Sequence, residues 1–105
     1  MGMNRVELLR SMLAQDPKNS FARYGLAMAH VTAGELSEAV GEFRALIAAD
    51  PNYAAAYFHG GQSLEKLHRL DEARAMYEQG IEVTSRSGDA HTRSELQAAL
   101  DLLPI

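Results

Sequence analysis

The sequence predicts an all-α fold of about six antiparallel helices stacked as hairpins. Three observations carry this expectation. Strand signals are weak, with no sustained period-two alternation and no Asn-Gly or Asp-Gly turn between β-branched runs. Alanine, leucine, glutamate and arginine dominate, and these are good helix formers. The chain also restarts itself: Asp16-Pro17 opens DPKNSFARYGL, and 34 residues later Asp50-Pro51 opens DPNYAAAYFHG. Both stretches place an aromatic residue, Tyr24 or Phe58, eight positions after the aspartate.

The elements follow in order. A first helix covers about residues 4–15, where Val6, Leu9 and Leu13 recur at helical spacing with Met12 beside them. Pro17 stops it, because the residue before a proline avoids the helical region. A second helix runs over about 19–33, capped by Asn19 or Ser20 and ended by Gly34, which supplies a positive φ. A third starts near Leu36, with Ser37-Glu38 at its N-terminus, and stops before Pro51. A fourth spans about 53–67, and His68-Arg69 makes the turn into a fifth at about 70–86. Ser87-Gly88 breaks the chain, and Asp89 caps a sixth helix that reaches about Leu102. Its apolar stripe is Leu96, Ala99, Leu100 and Leu103. Short joins make successive helices antiparallel neighbours.

Sliding the sequence on itself by 34 residues pairs Leu36 with Leu70, Glu38 with Glu72, Ala39 with Ala73, Phe43 with Tyr77 and Ile47 with Ile81. A period of this size means stacked supersecondary units, each unable to bury its apolar face without a neighbour. Small residues at Ala27, Ala39, Gly61 and Ala73 let helix backbones approach. Large ones at Phe43, Tyr57 and Tyr77 fill the space between hairpins, each contributing about 2–3 kcal/mol when fully buried.

On these residues the chain resembles the tetratricopeptide repeat family, whose pattern reads Trp-x2-Leu-Gly-x2-Tyr, Ala-x3-Phe, then Pro. Repeat one, residues 20–53, offers Leu26, Ala27, Ala39, Phe43 and Pro51, and departs at Arg23 and His30. Repeat two, residues 54–87, offers Tyr57, Gly61, Leu64, Ala73 and Tyr77. It departs at Gly60 and Ser85, which suggests looser packing there and a longer fifth helix. Residues 4–15 resemble the second half of a preceding repeat, and residues 89–102 the helix that closes many such arrays. The resemblance implies a right-handed helical-hairpin solenoid occupying residues 1–105 as a single domain.

Composition narrows the function. A chain of 105 residues, 47% hydrophobic, is sized for one domain with a real core. Ten basic against fourteen acidic residues give a net charge of −4 and no basic stripe, which argues against nucleic acid as partner. No cysteine is present, so disulfides, thiolate metal sites and a cysteine nucleophile are excluded. The N-terminus lacks the apolar run of a signal peptide, and Val6 stands where a myristoylation motif requires Ser or Thr. No apolar run approaches a membrane span. The expectation is a cytoplasmic protein without membrane contact.

Chemistry is sparse. None of His30, His59, His68 and His91 pairs with another at i+3 or i+4, so no metal site is expected. The run Gly60-Gly61-Gln62-Ser63 lacks the Gly-Lys-Ser/Thr ending of a phosphate loop. Ser63 has no evident base partner, and the carboxylates read as solvated helix faces. No catalytic residue and no cofactor are expected.

The resemblance implies a concave groove, lined by the first helix of each pair, that holds an extended peptide or a partner's helix. Its positions are Phe21, Tyr24, Met28 and Val31 on the second helix. On the fourth they are Ala55, Phe58, Gln62 and Glu65, with Lys66 at the flank. Tyr24 and Phe58 read equally well as core residues. Some family members grip a terminal carboxylate with Lys, Arg and Asn on this face. Here Tyr24, Met28, Phe58, His59 and Gln62 hold those slots, so such a clamp is not expected. The functional expectation is a protein–protein interaction scaffold that is not an enzyme. Its alternatives are a self-associating homodimer, because the first helix lacks a mate, and a non-catalytic subunit of an enzyme complex.

Overall fold

Helix boundaries follow the capping chemistry of the chain. In the computed structural model, which describes residues 2–104, the helices are α1 (Arg5–Gln15), α2 (Ser20–Thr32), α3 (Leu36–Ala49), α4 (Ala54–Lys66), α5 (Leu70–Ser87) and α6 (Ala90–Leu102). Among these residues there is no strand. Side-chain oxygens close three N-termini: Asn4 accepts from the Glu7 amide, Asn19 from Ala22 and Asp89 from Thr92. Each satisfies an otherwise orphaned backbone donor. Ser37 does not cap α3, because the helix already starts at Leu36 and places Ser37 inside its first turn.

The turns repeat as the sequence does. Gly34 takes φ 77°, and the next amide, of Glu35, donates back to the His30 carbonyl at 2.9 Å. One period later His68 takes φ 59°, and the Arg69 amide donates to Leu64 at 2.9 Å. The loop is the same, but a branched side chain occupies the left-handed position that glycine adopts without steric cost. Asp16 and Asp50 both leave their helices with φ −142°, in the extended geometry that a following proline demands.

The hairpins stack into a molecule of 48 × 29 × 19 Å. Three buried clusters run along it. Leu9, Ala22 and Leu26 join α1 to α2, while Ala27, Ala39, Phe43, Leu46 and Ala56 join α2, α3 and α4. The third gathers Tyr57, Leu64, Ala73, Met76, Tyr77, Leu96 and Leu103 from α4, α5, α6 and the residue that follows. Phe43 and Tyr77, equivalent in the repeat, are each fully buried.

Glycines allow the closest approaches. A Cβ on Gly61 would lie 2.6 Å from Cδ1 and 2.7 Å from Cζ of Tyr77, and closer still to Cε1. What needs room at Gly61 is therefore a ring, not a second backbone. Gly80 is similarly covered, by Tyr57 Cβ at 2.6 Å and Leu96 Cδ1 at 2.9 Å. Gly60 does not loosen the packing as its departure from the family pattern suggested. It is buried, with Met76 and Phe43 atoms 3.4 Å from where its Cβ would stand. The other departure has the expected consequence. Without a proline near Ser85, α5 runs for 18 residues against 14 in α3, and Gly88 ends it at φ 79°.

Candidate functional site

The first helices of successive hairpins, α2 and α4, share one face with α6. Tyr24 joins α2 to its neighbours through its ring, 6.4 Å from Phe43, 5.3 Å from Tyr53 and 6.1 Å from His59, centroid to centroid. Phe58 meets His59 edge-on at 5.3 Å. These separations lie within the range of favourable aromatic pairs. Tyr24 and Phe58 are both half-buried, each packing on a core cluster with one part while leaving another accessible. Each ring is thus partly in the core, and the accessible part is what a groove would use.

The remaining groove candidates divide. Phe21 is 71% exposed at the start of α2. Val31 is half-buried against the second cluster. Met28 also packs there and lines a cavity with Arg5, Ala29 and Thr32, so part of it is turned toward α1. Gln62 and Phe58 line a cavity between α4 and α6. Glu65 is occupied by the fold: its carboxylate accepts the hydroxyl proton of Tyr77 from α5. Burial and this acceptor together push the Tyr77 phenol far above its ordinary range.

Sequence reasoning missed what α6 adds. Thr92, Glu95, Ala98 and Leu102 turn toward α4 and complete the walls around Phe58. The available signal was Leu102, a large apolar residue outside the stripe of Leu96, Ala99, Leu100 and Leu103. His59 sits half-buried among Tyr24, Phe43 and Phe58. Burial lowers its pKa, an effect the Glu95 carboxylate partly opposes.

The family slots that depart from pattern have partners of their own. Arg23 donates to Glu42 of α3 at 2.8 Å, so an ion pair stands where the aromatic would pack. His30 is buried, as its core slot requires, with Nδ1 3.0 Å from Glu35 Oε1. Glu65 and His68 share the Glu-x-x-His spacing, but among the described residues no three His, Asp or Glu side chains converge as metal ligands would.

Comparison with known proteins bears on the family. A tetratricopeptide repeat family model matches residues 6–58. The chain is 28% identical over 95 residues to a TPR repeat-containing protein of Pseudomonas aeruginosa, covering 90% of each. It is 40% identical to the tetratricopeptide repeat domain protein of Salinibacter ruber, with a TM-score of 0.73 over 78% of this chain and 91% of that one. The TPR2B domain of yeast Sti1, solved as a complex with pHsp70, shares the fold at 16% identity. Its TM-score is 0.84, over 90% of this chain and 76% of that one. With the phased Asp-Pro turns and the paired Phe43 and Tyr77, these matches establish that the chain belongs to the tetratricopeptide repeat family.

Proposed function

We propose that this protein is a non-catalytic scaffold that takes an extended peptide or a partner's helix on the face of α2, α4 and α6. The observation that carries this reading is the pair of partly accessible rings, Tyr24 on α2 and Phe58 on α4, that both pack on His59, with exposed Phe21 one turn before Tyr24. Aromatic side chains that are partly wet are what interface centres favour. The fold shared with a domain solved together with pHsp70 supports the same reading. The lack of cysteine favours work in the reducing cytoplasm, and no described helix is long and apolar enough to cross a membrane. The test is affinity capture from the native lysate with wild type and a Tyr24→Ala/Phe58→Ala variant. The variant should lose captured protein while keeping its helical circular dichroism. Equal capture by both baits sinks the groove.

One observation favours a second reading, self-association through the N-terminal end. Of the four large hydrophobic residues exposed among the described residues, Met3, Leu8 and Phe21 lie in α1, just before it, or at the start of α2. A second copy would cover them. Light scattering across a concentration series should show a dimer that Leu8→Glu dissolves. A strict monomer at high concentration removes this reading.

A further inference from the structure

Two cavities lie side by side between α4 and α6 and share the walls Phe58 and Glu95. The larger, about 280 Å³ and open to solvent, is also lined by Gln62, Ala98, Ala99 and Leu102. The smaller, about 140 Å³, adds Ala55, His59 and Thr92. Leu102, on the rim of the larger one, is 83% exposed, an apolar side chain without a cover. No lysine or arginine lines either cavity, and Glu95 is the one carboxylate in both. Burial disfavours the charged form of His59, which makes it a poor counter-ion for that carboxylate. The imidazole nearest Glu95 is His91 on the same helix, at 3.0 Å and 88% exposed, where solvent screens it. The next acid along the face, Glu65, is already bound to Tyr77.

We infer that the cleft between α4 and α6 seats a segment of a partner protein carrying an apolar side chain close to a lysine or arginine, the apolar group entering beside Phe58 and Leu102 and the cation meeting Glu95. This inference rests on the groove reading above and gives its occupant a chemistry. Four of the six residues lining the larger cavity, Phe58, Ala98, Ala99 and Leu102, are apolar, which suits an aliphatic or aromatic side chain. A cation placed at the shared wall gains the carboxylate and the face of Phe58 together. An acidic segment, or a chain terminus presenting its carboxylate, would meet Glu95 with like charge and find no basic residue in either cavity.

A phage-displayed library of random nine-residue peptides, panned on the full chain, tests this. Enriched sequences should place Lys or Arg within three positions of Leu, Ile, Phe or Met. Synthetic copies should bind Glu95→Gln about two- to fivefold more weakly, the loss expected of one partly exposed ion pair. Selection on Glu95→Lys should turn toward acidic peptides. Peptides that lose binding to Phe58→Ala yet ignore Glu95→Gln overturn the inference and leave the groove standing. Peptides indifferent to both Phe58→Ala and Tyr24→Ala overturn the groove as well, as does a library that enriches nothing over an unrelated helical protein. A dimer dissolved by Leu102→Glu would make a second copy the occupant and also overturn the inference.

Discussion

Gly60 and Gly61 are adjacent in α4, yet alanine should act on them in opposite directions. Either substitution removes a helix-interior glycine and so gains about 1 kcal/mol of propensity. At Gly60 the new methyl meets Met76 Cε and Phe43 Cβ at 3.4 Å, and the flexible methionine can yield. The result should fall between no change and about 1 kcal/mol of stabilisation. At Gly61 the methyl would stand 2.6 Å from Tyr77 Cδ1, inside a ring that is fully buried and tied by its hydroxyl to Glu65. Overpacking costs about 1–3 kcal/mol, and losing the hydroxyl bond about 1–3 kcal/mol more. Less the propensity gain, Gly61→Ala should destabilise by about 1–5 kcal/mol, which at roughly 4–8 °C per kcal/mol for a domain of this size lowers Tm by about 5 °C or more. Urea and thermal melts followed by far-UV circular dichroism measure both variants. A Gly61→Ala/Tyr77→Leu double variant should lose less than the sum of its two single changes, because the ring is the obstacle. If Gly61→Ala melts within a degree or two of wild type, the proposed packing of Tyr77 on α4 is wrong.

Other outcomes follow from the same contacts. His68→Gly should stabilise by about 0.5–1 kcal/mol, since it relieves a left-handed side chain at φ 59° at the cost of a more flexible unfolded chain; denaturant melts would show it. Glu65→Ala should cost about 1–3 kcal/mol by leaving the Tyr77 hydroxyl without its acceptor, whereas Glu65→Gln, which keeps an acceptor, should cost less. The folded state holds the Tyr77 phenol above its ordinary value of 10.0, so this stabilisation is complete below that pH and is lost as the solution becomes more alkaline. Melts in alkaline buffers should show a shallower loss for Tyr77→Phe, with the remaining slope supplied by Tyr24, Tyr53 and Tyr57, which shift in the same direction. The His59 pKa is depressed below its ordinary 6.5, so its contribution to stability is full above that value and falls as acid protonates the buried ring. A peptide held by Glu95 should weaken over the same acid range as a new positive charge arises in the cleft, and His59→Gln should reduce that weakening in a fluorescence titration.

What the sequence made legible was whatever recurs. The period of 34 located the hairpins because Ala39 and Ala73, Phe43 and Tyr77 face equivalent surroundings, and the structure buries all four completely. Asp89 and the α6 stripe were legible for a different reason, since capping chemistry and helical spacing are local. The harder features are contacts made once. Helix α5 is longer than α3 and α6 starts 36 residues after α4 instead of 34, so the period does not mark Glu95 or Leu102 as wall residues. Glu65 reads from spacing as an accessible groove carboxylate, and only the depth of Tyr77 reveals that its oxygen is taken. Gly61 reads as a place where backbones meet, although its space is filled by a ring whose repeat equivalent, Phe43, has no hydroxyl to anchor it. The two repeats are therefore not interchangeable. Repeat one packs Tyr24 against the ring of Phe43, while repeat two ties its core aromatic to Glu65, and the carboxylate beside Phe58, Glu95, comes from the closing helix. If the proposed groove holds a segment, that asymmetry, with Glu95 at the α6 end and Tyr24 at the α2 end, would give it a direction as well as a place.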